Sequence, residues 1–238
     1  MLRIEVRRAQ PDGERALRAV SVAHVNHVGE SLVLALGAAV SPIPLTISIL
    51  LLSQPDRGRA KAIAFAAGQV VALAVIVTGA ALLLRATLGT THHHSKTEAT
   101  IDTVLGVVLL LAAARTFLTK PKPKKPSPQK QRSLAAEFFA GAGLMAVNVE
   151  TLALVLAAVK ELSLAKVGPL SEALTLIAIT LITTLTATVP PLITMLFPTR
   201  SGHALAWLNE QTTRHGRAIK GVFLVLFGAY LLYKGLQG

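Results

Sequence analysis

"LGAAVSPIPLTISILLLS" (Leu36–Ser53) is apolar enough to cross a membrane, yet it carries two prolines one residue apart. A proline has no amide proton to donate to the carbonyl four residues back, and Pro42 also turns Ser41 away from helical angles. Freed carbonyls find no water in hydrocarbon, so a broken helix is tolerated there only beside protein or an aqueous cavity. Carbonyls near residues 38–41 are expected to be free. A helix restarting near Leu45 would present unpaired amides and the positive end of its dipole. Such a junction suits an anionic or hydroxyl-bearing group at membrane depth. Ser41, Pro42, Pro44 and Thr46 are therefore candidate site residues, and Ser48 adds a hydroxyl. The plainer alternative is a proline kink repaired by neighbouring helices and Ser/Thr side chains.

The rest of the chain supports a membrane setting. Only 15% of its 238 residues are charged, well below soluble domains, and its mean hydropathy is +0.57. The net charge of +12 invites a nucleic-acid reading, but aromatic residues are scarce and the basic residues lie between apolar blocks. That distribution fits the positive-inside bias and anionic headgroups at the basic loops, with no nucleic acid as partner. There is no cysteine, which excludes disulfides, thiolate metal sites and thiol relays. Residues 1–28 are charged, lack an apolar signal-type core and read as a polar tail.

Six apolar runs match the thickness of a bilayer, near 31–52, 62–84, 101–118, 136–159, 173–197 and 219–236. The expected fold is all-α: a polytopic membrane protein of six transmembrane helices. The first, third and fifth loops carry thirteen basic residues, whereas the second and fourth loops with the C-terminus carry five. This places the odd loops in the cytoplasm and both termini outside, although the N-terminal tail holds five more arginines. The run "KPKPKKPSPQK" (Lys120–Lys130) separates three spans from three. It reads as extended, solvated chain.

Counted as 22-residue spans, Ser31–Leu52 and Phe138–Val159 each have a polar residue eleventh, Ser41 and Asn148. Three spans separate the first from the fourth, so the halves run in opposite directions. The expected plan is an inverted 3+3 repeat with broken first and fourth helices: a first repeat at 29–118, a linker at 119–135 and a second repeat at 136–238. Asn148, Glu150 and Thr151 join the candidate site. Glu150 is an acid near the bilayer centre, where it costs at least about 2.5 kcal/mol unless it faces protein or water. It can take up a proton, pair with a cation, or lie ordinarily at an interface. In the fifth span, threonines including Thr188 precede Pro190-Pro191, either lining a cavity or satisfying kinked backbone. Gln69 puts one amide into the second span.

Asp102 reads as an acid favoured at a helix N-terminus. His92-His93-His94 lie in a loop without acidic neighbours and match no metal-ligand spacing. No nucleophile–base set, P-loop or dinucleotide fingerprint occurs, so neither an enzyme nor a cofactor is expected. "AGAGLMA" carries small residues spaced for close helix packing.

Several stretches, taken in order, resemble the Sap/GAP-like family of peptidoglycolipid-addressing proteins within the LysE transporter superfamily. They are "ALGAAVSPIPLTISILLLSQPDRGRAKAIAFAAGQ", "LGVVLLLAAARTFL" with the Lys/Pro linker, "NVETLALVLAA", "ATVPPLI" and "ALAWLNEQTTRHGRAIKGVFLVLFGAYLLYKGL". The resemblance implies an integral membrane transporter or export factor that moves cell-envelope lipids out of the cytoplasmic membrane beside a larger lipid exporter. The chain departs from the family's usual Asn-Pro-Lys-Asn at Asn148-Val149-Glu150-Thr151, and bulk usual near Gln69 is missing. Two other readings stay open. One is an efflux carrier for an amino acid or cation; the other is a non-transporting subunit of a lipid exporter. A homo-oligomer is compatible with each.

Overall fold

The computed structural model describes residues 26–88, 94–119, 132–165, 167–197 and 201–237, and among these it is all-helical. Nine helices follow in chain order: α1 (Asn26–Ala39), α2 (Pro42–Leu52), α3 (Gly58–Leu88), α4 (His94–Leu118), α5 (Leu134–Val147), α6 (Val149–Leu164), α7 (Pro169–Thr183), α8 (Leu185–Leu196) and α9 (Ser201–Gln237). Three carry unbroken stretches long and apolar enough to cross a membrane: Gly58–Ala86, Glu98–Leu118 and Arg214–Gln237. Three pairs make broken spans, α1/α2 bent by 52°, α5/α6 by 69° and α7/α8 by 74°. This is a polytopic helical membrane protein. Large apolar side chains point outward around the bundle, including Leu83, Leu111, Phe139, Leu174 and Leu226. Water would not tolerate so continuous an apolar exterior, and lipid does.

The first and fourth spans break where the sequence predicts. The first helix restarts at Pro42 rather than near Leu45. Pro42 and Pro44 fall in the opening turn of α2, where amides have no intrahelical partner in any case, so their missing protons cost nothing there. The fifth span bends at Thr184, six residues before Pro190-Pro191, and the prolines sit inside α8. Pro191 cannot donate to the Ala187 carbonyl, and the buried Ser48 hydroxyl of α2 supplies that bond at 3.0 Å. Thr184 and Thr188 donate to the carbonyls of Thr180 and Thr184 at 2.8 and 3.1 Å. These threonines therefore stabilise the bent backbone.

Helix packing follows a regular scheme. The third span packs along the sixth, α4 against α9; the second packs on the fourth as the fifth packs on the first; and α4 crosses α6 as α9 crosses α2. The α4–α9 pair is antiparallel, with Gly221 against Phe117, Gly228 against Leu110 and Gly235 against Thr103. Closest of all is the crossing of α3 and α5. A Cβ at Gly68 would run into the Phe138 carbonyl oxygen, and one at Gly141 into that of Phe65. The "AGAG" run serves this crossing. Leu34, Leu73, Leu109, Leu154, Ile179, Leu224 and Leu231 fill the main core between the spans. Residues 1–25, His92, His93 and the linker segment 120–131 lie outside the described residues.

Candidate functional site

Two of the breaks meet. Ser41 from the α1/α2 junction, Glu150 and Thr151 from the first turn of α6, and Lys220 from α9 line one small void with Gly37, Ala38 and Phe223. Its volume of about 10 Å³ is no more than one water needs. Ser41 is buried and its Oγ has no hydrogen-bond partner among the described residues. Asn148 caps α6, its Oδ1 accepting from the Thr151 amide at 3.4 Å. Glu150 pairs with Lys220. Of the three roles open to Glu150, pairing with a cation is the one the geometry realises, and its partner belongs to α9 rather than to the loop before it.

A wider groove adjoins the void. It is lined by Val40, Ser41, Pro42, Leu45, Thr186, Gln211, His215, Gly216 and Ile219, with a volume of about 260 Å³. Ser41, Leu45 and Gly216 form its buried floor, while Gln211, His215 and Ile219 are exposed at its rim. The lining is mainly apolar, with a few hydroxyl, amide and imidazole groups. Pro190 leaves the Thr186 carbonyl without its helical donor, and Thr186 lies in this groove.

The other predicted residues are placed differently. Pro44 is buried at the start of α2, and the Thr46 hydroxyl donates to the Pro42 carbonyl at 2.9 Å, stabilising that first turn. Gln69 is buried in α3 and its Nε2 has no partner among the described residues. Thr188, Pro190 and Pro191 belong to α8 and line neither the void nor the groove.

One further cluster lies outside the sequence-predicted site residues. Asp102 does not begin a helix: α4 starts eight residues earlier, and Asp102 is buried inside it. Lys160 and Glu161, each 1% exposed, belong to α6 rather than to a loop. Lys160 Nζ lies 2.5 Å from Asp102 Oδ2 and 3.4 Å from Glu161 Oε1. Lys234 Nζ of α9 lies 2.8 Å from Glu161 Oε1 and 3.0 Å from Glu30 Oε2, and His27 Nδ1 lies 3.0 Å from Glu161 Oε2. Four helices are thus tied at one end by an ionic network. His27, Glu30 and Glu161 bring their ligand atoms within 4.8 Å of one another, close enough for a metal ion, but the Lys234 ammonium already holds both carboxylates. A sequence signal existed. Lys160 and Glu161 continue the helical phase of the buried Ala153, Leu154 and Ala157.

At the opposite end Arg217 caps α4. Its guanidinium donates to the carbonyls of Thr116 at 2.7 Å, Phe117 at 3.0 Å and Thr119. This places a cation at a helix C-terminus, where the dipole favours it.

Neither a curated protein nor a solved structure matches the chain. A family model does, that of "Sap, sulfolipid-1-addressing protein", over residues 32–237. All six spans fall within the match apart from the first turns of α1, and the chain belongs to this family of addressing proteins.

Proposed function

We propose that the protein is a lipid export factor that passes the polar headgroup of an anionic envelope lipid through the junction of its broken helices. The observation that carries this reading is the amphipathic groove beside Ser41. Its floor and rim offer hydroxyl, amide and imidazole groups, while Val40, Pro42, Leu45 and Ile219 provide apolar wall for the start of an acyl chain. The positive end of α2 faces the same place and favours a negative headgroup. The family's description names a sulfolipid, whose charged head has this chemistry. The positive-inside count turns the groove toward the cytoplasm, beside Gln211 and His215. In this orientation the groove loads lipid from the cytoplasmic leaflet. Lys220, at the inner end of the route, can exchange its Glu150 partner for the headgroup. The basic loops hold anionic lipid nearby, and a larger exporter would receive the cargo.

The test is purification in native-lipid nanodiscs with mass spectrometry of the retained lipids. The wild type should enrich an anionic envelope lipid, and Thr186→Trp, which fills the groove, should lose it without loss of folded protein. Equal bulk lipid in both samples would overturn the lipid route and favour a small-solute carrier or a docking subunit.

A further inference from the structure

The end opposite the groove is closed twice. Beyond the Glu150–Lys220 pair come buried Leu34, Ala38, Leu154, Ala158 and Leu224, and beyond them the ionic cluster. Lys234 lies fourteen residues past Lys220 on α9, about 21 Å along the helix. The cluster adds ionic ties between α1 and α6 and the α4–α9 pair to the apolar core they share.

Among the described residues its charges do not balance. Glu30, Asp102 and Glu161 supply three carboxylates there, and Lys160 and Lys234 two ammonium groups. Asp102, Lys160 and Glu161 are buried while His27, Glu30 and Lys234 are partly exposed, and an uncompensated charge beside the buried members is costly. Consistent with a missing partner, Asp102 Oδ1 accepts no hydrogen bond from the described residues. His27, against Glu161 and partly exposed, is where one proton from the adjoining water would complete the balance. The titratable groups facing it are Glu30 on its own helix, Asp102 on α4, Lys160 and Glu161 on α6, and Tyr230 and Lys234 on α9. Glu172 of α7 does not enter the count, because it is paired with Arg85 of α3.

We infer that the cluster is a proton-binding gate. With one proton shared between His27 and Glu161 it is neutral and closed; loss of that proton releases α1 and α6 and opens the end opposite the groove. The inference rests on the transport reading, and it assigns the coupling proton to this cluster instead of Glu150, whose charge Lys220 already balances.

The chain has no cysteine, so single thiols can be placed freely. Ala158→Cys lies one turn inside Glu161 and is fully buried; Thr100→Cys, exposed on α4, is the control. In oriented proteoliposomes both are labelled from the cluster side with a membrane-impermeant maleimide. Their rate ratio removes the thiol's own pH dependence. The ratio should rise about tenfold from acidic to mildly alkaline buffer, because histidine is the side chain suited to proton switching near neutrality. In the His27→Asn background it should be flat. In Glu161→Gln, where two carboxylates face two ammonium groups, it should stay low at both pH values. A flat ratio in the parent, a pH dependence that survives His27→Asn, or an open Glu161→Gln would each overturn the gate. Variants are compared only when monodisperse, and Glu161→Gln remains informative if His27→Asn does not fold. Labelling needs no lipid substrate, so a nanodisc experiment that finds no enriched lipid would defeat the lipid reading and leave this result standing.

Discussion

Glu150, in the first turn of α6, is paired with Lys220, near the middle of α9. The pair joins the fourth span to the sixth directly beside Ser41 of the first. Both partners are mostly buried, so each depends on the other to offset its desolvation.

Lys220→Met should therefore lose the enriched lipid in nanodiscs, while Lys220→Arg should keep most of it, because a guanidinium retains the charge for both Glu150 and an anionic headgroup. Lipid mass spectrometry on the two variants at equal protein yield decides the point. Retention by Lys220→Met would remove Lys220 from the route.

Gly141→Leu should be far more damaging than Gly143→Leu. The first drives a side chain into the backbone of α3; the second meets open space. Overpacking of this kind costs about 1–3 kcal/mol or more. Thermal unfolding in detergent should show a clear drop for the first and little change for the second.

Ser48→Ala should cost about 1 kcal/mol, since it leaves the Ala187 carbonyl unbonded. In a Pro191→Ala background the restored amide can serve that carbonyl, and the same substitution should cost less. A double-mutant cycle on unfolding midpoints measures the difference. Full additivity would refute the compensation.

Lys160→Met strips Asp102 of its buried counter-charge and should destabilise by about 3–5 kcal/mol. Lys160→Met with Asp102→Leu should recover most of that loss. Both effects are readable as melting shifts of purified protein.

Much of this was legible in the chain. The spans follow from apolar length, and the breaks at Ser41 and Asn148 follow from proline chemistry and from polar residues at equivalent depth. Ser41, Glu150 and Thr151, which all lie at such breaks, line one void. The partners were not legible. Gln211 and His215 come from the stretch before the sixth apolar run, and Lys220 stands at its very start, where charge and polarity look like an ordinary loop. The ionic cluster was hidden for the same reason. Each member lies near the end of its own span, where charges are unremarkable, and only the packing of four helices makes their burial visible. The bend at Thr184 lies six residues before Pro190, and Ser48, on another helix, supplies one of the bonds the prolines remove, a partner that only the packed structure reveals.

The contact of Gly68 with α5 has a mechanical consequence. With two backbones touching, α3 and α5 can hardly slide past each other, but they can rotate about the point of contact. That point acts as a fulcrum, and α3 extends twenty residues beyond it to Leu88, a lever of about 30 Å. A tilt of about 10° there carries the far end through about 5 Å, roughly the width of one strand of lipid tail.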